Sequence, residues 1–239
     1  MVRAFCLLAG LPGALAAQTR HELRPAREAA FLGAGLGLGA AGFLLAQRDQ
    51  GPVPLDRWAV PGLDRVATEH WSPAARRASD VLFGAAAGAA LIGAYRNQQG
   101  EQPLLPVAII AESALLSAGL TGAVKELVQR PRPYLYNAAV PASEHDGARD
   151  AVSFWSGHAA NTAAISFACA SLVQRSDASK GWKTVAWVAA AAAPAAMGYL
   201  RVRAGQHFPT DVLTGYAVGA GVGVGTAYFH RPGKRPLER

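Results

Sequence analysis

The sequence predicts an all-α fold: a membrane helical bundle of about six helices, with a candidate active site at helix ends on one face. Three observations carry this. Apolar residues make up 51% of the 239-residue chain and charged residues only 16%, against roughly 25% charged in an ordinary soluble domain. The apolar residues fall into runs at 29–46, 81–95, 104–124, 159–173, 182–199 and 212–229. Several are near the ~20 residues a helix needs to cross a bilayer, and two are on the short side. Finally, the residues able to do chemistry cluster at the ends of the later runs. Ala and Gly supply much of the apolar count, which holds the mean hydropathy to +0.14.

Element by element, residues 1–18 read as a signal-like segment. Arg3 gives a basic start, an apolar run too short to span follows, and Ala14-Leu15-Ala16 resembles a cleavage site. An uncleaved interfacial helix is the competing reading. Residues 19–230 form one helical domain, and 231–239 a basic tail. Within the domain, a polar patch precedes the first run. The connection from Gln47 to Asp80 carries Pro52, Pro54, Pro61 and Pro73 together with Trp58 and Trp71. Two tryptophans suit a headgroup-level belt, and packing under a loop explains them equally. Gly33, Gly35, Gly37 and Gly39 in the first run mirror Gly219, Gly221, Gly223 and Gly225 in the last. Small residues four apart let helix backbones approach closely. No Gly-Lys-Ser/Thr follows either run, so neither is a phosphate loop. Pro194 predicts a kink in the fifth run.

The net charge is +7, but the Lys and Arg residues lie between apolar runs and in the tail, as membrane flanks do. A nucleic-acid partner would need a dense basic footprint, and there is none. The tail suits an anionic cytoplasmic leaflet. Cys6 and Cys169 both sit inside apolar stretches, so neither a disulfide framework nor a zinc cluster is available.

The first cluster runs from Lys125 to Pro133. An apolar helix ends here, and two Arg-Pro pairs (Arg130-Pro131 and Arg132-Pro133) force the chain extended. Lys125 on the last turn and Arg132 on the emerging loop can converge on one anion. An Arg fork grips phosphate oxygens, while Lys acts as a point charge. A basic flank at a membrane boundary is an equal reading of this segment alone. The second cluster is Ser156-Gly157-His158. Ser156 can cap the following helix, Gly157 lets backbone amides approach a ligand, and His158 sits on the first turn beside any bound anion. A plain Ser cap with an incidental histidine accounts for this fragment by itself. The third cluster holds Arg201, His207 and Asp211. Pro209 fits the first turn of a helix, which places His207 just before it and Asp211 within reach of one imidazole nitrogen. The other nitrogen is then aimed as a nucleophile. A surface His–Asp pair is the bland alternative.

In this order and spacing the clusters resemble the type 2 phosphatidic acid phosphatase superfamily. That group also includes bacterial class A acid phosphatases and vanadium haloperoxidases. Its pattern is Lys, six residues, Arg-Pro; then Pro-Ser-Gly-His; then Ser-Arg, five residues, His, three residues, Asp. Lys125 to Arg132-Pro133 matches the first and selects Arg132 over Arg130. Ser156-Gly157-His158 matches the last three positions of the second, with Trp155 in place of proline. Arg201, His207 and Asp211 match the third, with Leu200 in place of serine.

The resemblance implies a helical bundle and a phosphatase that needs neither metal nor cofactor. Lys125, Arg132 and Arg201, with Ser156 and the Gly157 amide, would bind the phosphate. His207 would attack phosphorus to form a phosphohistidine, His158 would protonate the leaving alcohol, and Asp211 would orient His207. The implied substrate is a lipid phosphomonoester or an isoprenoid pyrophosphate in a membrane. A soluble periplasmic acid phosphatase and a vanadate-dependent haloperoxidase are the alternatives within the superfamily. Arg175, Lys180 and Lys183 and the basic tail favour cytoplasm for the far face. The expected location is therefore a bacterial-type inner membrane with the site facing the periplasm. That requires either an uncleaved N-terminus or a first run that does not cross.

Overall fold

The computed structural model describes residues 23–47, 55–96, 104–145, 147 and 150–231, and six long helices build that part of the protein. The signal-like segment 1–18 and the tail beyond Arg231 lie outside the described residues. The helices are α1 (Pro25–Ala46), α2 (Pro73–Arg96), α3 (Leu105–Val128), α4 (Gly157–Gln174), α5 (Lys180–Arg203) and α6 (Pro209–Phe229). A four-residue helix, Gly62–Arg65, and four short 3-10 turns complete the described structure, which contains no strand. The fold class expected from the sequence is the one observed.

The local chemistry explains where the helices start and stop. Pro25, Pro73 and Pro209 open α1, α2 and α6, where proline's missing N–H costs nothing and its fixed φ already fits a helix. Ser156 and Ser179 cap α4 and α5 by accepting the backbone N–H of Ala159 and of Trp182. Helix α3 stops at Gln129, which takes the left-handed conformation at φ 48°, a position few non-glycine residues adopt. The chain turns back there and brings the two Arg-Pro pairs over the helix ends. Helix α5 runs unbroken through Pro194.

Among the described residues, five stretches are long and apolar enough to cross a membrane: Pro25–Ala46, Pro73–Tyr95, Leu105–Tyr136, Lys180–Arg203 and Pro209–Phe229. Their outer faces carry exposed Leu36, Phe43, Val81, Val188, Leu213 and Phe229. Such exposure is costly in water and favourable against acyl chains. Helix α4 is different. It packs against α2, α3, α5 and α6, and Ala159, Ala160, Ala163, Ala164 and Ala168 are fully buried. It is the axis of the bundle, and its small residues bring the neighbouring backbones close.

The glycine runs act on one face only. A Cβ on Gly219 would meet the Ala160 carbonyl at 2.0 Å, and one on Gly223 the Ala164 carbonyl at 2.3 Å. Gly119 is equally tight against the Gly35 carbonyl, at 2.3 Å. Gly33, Gly37, Gly39, Gly221 and Gly225 face open space. So α6 leans on α4, and α1 on α3, through glycines four or more residues apart.

The helices alternate in direction. Arg27 Nη1 at the start of α1 donates to the Phe229 carbonyl at the end of α6, 2.9 Å away. His230 Nε2 lies 2.8 Å from Glu28 Oε2 and 3.1 Å from Glu112 Oε2. The start of α1, the start of α3 and the end of α6 therefore share one end of the bundle. The end of α3, the starts of α2, α4 and α6, and the end of α5 form the other.

Candidate active site

That second end holds all three clusters around a pocket of about 280 Å³. Lys125, Arg132, Gly157, His158, Arg201 and His207 line it. Lys125 comes from the last turn of α3, and its ammonium donates to the Val152 carbonyl. Arg132 is buried on the loop after α3, and its Nη1 donates to the carbonyl and Oε1 of Gln206 at 3.1 and 3.0 Å. Arg201, buried on the last turn of α5, donates through Nη1 to Ser79 Oγ at 3.1 Å. Its Nη2 lies 3.5 Å from Gln206 Oε1. Gln206 thus spaces two guanidinium groups side by side, which like charges would otherwise oppose. The Nε of Arg201 is buried without a partner among the described residues. Leu200, which replaces the expected serine, precedes an arginine whose hydroxyl partner comes instead from Ser79 on α2.

His207 is 2% exposed. Its Nδ1 lies 2.8 Å from the Ser153 carbonyl oxygen. A carbonyl only accepts, so Nδ1 carries the hydrogen and Nε2 keeps the lone pair. Burial, then the charges of Lys125, Arg132 and Arg201, hold this imidazole well below the usual histidine range. The resting form is then the neutral imidazole. Asp211 stands 3.6 Å from Nδ1, and its Oδ2 accepts the Phe208 N–H at 2.9 Å. The direct orienting contact on His207 is therefore the Ser153 carbonyl, with the Asp211 charge behind it. The N-terminal turn of α6 draws Asp211 inward to bond the Phe208 amide, which explains why it does not bond the imidazole.

His158 on the first turn of α4 faces the pocket from the other side. Its Nε2 is 3.0 Å from Asp80 Oδ1, and a carboxylate accepts, so Nε2 bears the hydrogen. Burial, then the Arg201 charge, push it down to about 4, opposed by Asp80. Ser156 is fully buried, with its N–H donated to the Asp211 carbonyl at 3.0 Å. This bond ties the start of α4 to the start of α6, so the histidine-bearing turns hold one relative position. Trp155 is buried away from the pocket and donates Nε1–H to Thr121 Oγ1 on α3 at 2.8 Å. It fixes the loop to α3 and is no part of the pocket wall.

Several residues outside the clusters complete the site. Arg76 and Asp80 of α2, Tyr134, Glu144 and Gln206 also line the pocket. Arg130, the arginine not selected for the anion, lies behind it. Its Nη1 bonds Asp211 Oδ1 at 2.6 Å, and its Nη2 bonds Asp64 Oδ2 at 2.8 Å. Its guanidinium stacks 3.9 Å over the Phe208 ring. The sequence offered no local sign of Asp64 or Asp80, because their partners lie 66 and 78 or more residues away.

One group of metal-ligating side chains occurs among the described residues: Glu28, Glu112 and His230. It lies at the opposite end of the bundle, and Arg27 Nη2 already pairs with Glu28 at 2.6 Å. The pocket itself gathers Arg76, Lys125, Arg132 and Arg201 and suits an anion.

A search of curated proteins found no match. Among solved structures, the chain is similar to one described as the first transmembrane PAP2 type phosphatidylglycerolphosphate phosphatase from Bacillus subtilis. The identity is 21% with a TM-score of 0.46, over 98% of this chain and 95% of that one. The family model described as PAP2 superfamily matches residues 106–235, more than half of the chain and the whole of the three clusters. The protein belongs to the PAP2 superfamily and is a membrane-type helical phosphatase.

Proposed function

We propose that the protein hydrolyses a lipid phosphomonoester or an isoprenoid pyrophosphate through a phosphohistidine intermediate. The observation that carries this is His207 itself: neutral, buried, with its hydrogen fixed on Nδ1 by the Ser153 carbonyl, and three cations around it. Nε2 attacks phosphorus as the bond to the leaving oxygen breaks. Lys125, Arg132 and Arg201 receive the equatorial oxygens, joined by the free amides at the start of α4. Arg201 Nε supplies a donor that has no other partner among the described residues. With the phosphate anion bound, His158 takes up a second proton on Nδ1 and, as the imidazolium, gives its Nε2 hydrogen to the departing oxygen. In the second step it takes a proton from water as the water oxygen attacks phosphorus, the P–N bond breaks, and phosphate leaves. Asp211 offsets the positive charge that His207 gains.

A lipid substrate is supported by the apolar outer faces of α1, α2, α5 and α6 beside a polar pocket at the bundle end. Leu36, Phe43 and Val188, exposed on those faces, favour this over a soluble acid phosphatase. We place the pocket at the periplasmic face of a bacterial inner membrane. Arg175, Lys180 and Lys183 lie at the opposite end, and basic loops favour the cytoplasm. With α1 crossing, Glu28 shares that cytoplasmic end with His230.

Phosphate release from a panel of phosphorylated lipids tests the chemistry. His207→Ala, present in membranes at normal levels, is expected to lose activity on every member. Brief exposure to phosphatidate radiolabelled in its phosphate, quenched in base, is expected to label the wild-type protein but not this variant. Equal turnover by His207→Ala would sink the mechanism. Reporter fusions after Gln50, His145 and Arg235 test the orientation, and a cytoplasmic signal after His145 would reverse it.

A further inference from the structure

Asp80 belongs to none of the three clusters, yet it reaches into the pocket from the second turn of α2. Its Oδ1 lies 3.0 Å from His158 Nε2 and 3.4 Å from Arg201 Nη1. On the phosphatase reading above, these two groups face the departing oxygen and the phosphoryl group. The carboxylate therefore stands where the leaving group must pass. Its charge matters because leaving groups differ in charge. The leaving oxygen of a lipid phosphomonoester belongs to an alcohol, attached to neutral carbon. The leaving oxygen of a pyrophosphate belongs to a second phosphate, which is itself an anion. That anion would sit against His158 and so within a few ångströms of Asp80, and like charges at such range repel. Arg76, one turn earlier on the same wall, is paired with Glu144 Oε2 at 3.7 Å, and Arg201 Nη1 at 3.4 Å offsets only part of the Asp80 charge. Asp80 is about half exposed, so solvent screens part of the repulsion and a moderate discrimination is expected.

We propose that Asp80 is a specificity-determining residue, selecting phosphomonoesters with a neutral leaving alcohol over pyrophosphates. The same carboxylate that holds the His158 Nε2 hydrogen in the pocket rejects an anionic leaving group. The inference rests on the phosphatase reading and narrows its substrate class.

The test is kcat/KM of the detergent-purified full chain on a short-chain phosphatidate and on farnesyl pyrophosphate. Wild type is expected to favour phosphatidate, and Asp80→Asn to raise the pyrophosphate-to-phosphatidate ratio about tenfold, which corresponds to ~1.4 kcal/mol. Asp80→Glu, which keeps the charge, is expected to keep the wild-type ratio. Any general loss from a misaligned His158 slows both substrates and cancels in the ratio. An unchanged ratio in Asp80→Asn, with His207→Ala inactive on both substrates, overturns this proposal and leaves the phosphatase reading standing. Wild type that prefers farnesyl pyrophosphate also overturns it. Release from neither substrate by wild type overturns both readings together.

Discussion

Arg130 and Asp211 lie 81 residues apart in sequence and meet in a 2.6 Å ion pair behind the candidate nucleophile. The same guanidinium holds Asp64, so one arginine satisfies two carboxylates that are almost completely buried. Removing one partner of such a pair leaves charge in a poorly solvated place, a loss of about 3–5 kcal/mol. Arg130→Ala is therefore expected to lower the thermal unfolding temperature in detergent clearly. Asp64→Asn, which relieves half of the uncompensated charge, is expected to restore part of it in the double variant. An Arg130→Ala protein that melts with the wild type would mean that the pair contributes nothing.

The roles proposed for the two histidines predict an acid-shifted activity profile. On the proposed mechanism His207 must be neutral to attack, and its depressed proton affinity keeps it so well below the pH at which a free imidazole charges. The reaction also needs one proton, on His158 or on the substrate. His158 is pushed down to about 4 in the unliganded pocket, and a phosphomonoester loses its second proton near pH ~6. The kcat/KM profile reports free enzyme and free substrate, so it should reach its maximum between about pH 4 and pH 6 and fall as pH rises further. A profile that instead rises through pH ~6.5 to an alkaline plateau would show a histidine titrating as in water.

The site was legible in the sequence to the extent that its chemistry lies at helix ends. Lys125, His158, Arg201 and Asp211 each occupy a terminal turn, and proline or serine marks most of those turns locally. Asp64 and Asp80 left no such trace, and Arg130, though marked by Pro131, gave no sign of its role, because these roles exist only through partners far along the chain. Helix α2 shows the same limit. Its apolar run begins at residue 81, but the helix begins at Pro73, and the polar turns between them carry Arg76 and Asp80 into the pocket. Hydrophobic patterning finds the part of a helix that faces lipid or core and passes over the part that extends beyond the membrane. The contact on His207 was hidden for a different reason. A backbone carbonyl, that of Ser153, takes the place in which a carboxylate was expected, and no side-chain pattern encodes a carbonyl's direction.

The glycine contacts separate two classes of substitution on one helix. Gly219 sits so close to the Ala160 carbonyl that a Cβ would fall 2.0 Å from it, and backbone cannot swing aside as a side chain can. Gly219→Ala is expected to destabilise by about 1–3 kcal/mol, the usual cost of overpacking. Gly221→Ala, with open space around it, is expected to be neutral or to gain up to ~1 kcal/mol from helix propensity. Thermal unfolding of the two variants under one set of conditions checks this, and equal shifts would contradict the packing of α6 on α4.

Trp155 departs from the superfamily's proline, and its indole replaces ring rigidity with a cross-helix bond. The Nε1 hydrogen reaches Thr121 Oγ1 at 2.8 Å, and both residues are buried. Trp155→Phe keeps most of the apolar surface but leaves the threonine hydroxyl without this donor, a loss of about 1–2 kcal/mol. Thr121→Val removes the same bond from the other side and strands the indole N–H. If the bond is what holds the loop, the double variant should be less damaged than the sum of the singles, by about 1 kcal/mol of coupling. The loop leads directly into Ser156 and His158, so a loosened loop should lower kcat more than it raises KM. Additive unfolding shifts in the double variant, with kcat unchanged in Trp155→Phe, would show that Trp155 only fills space.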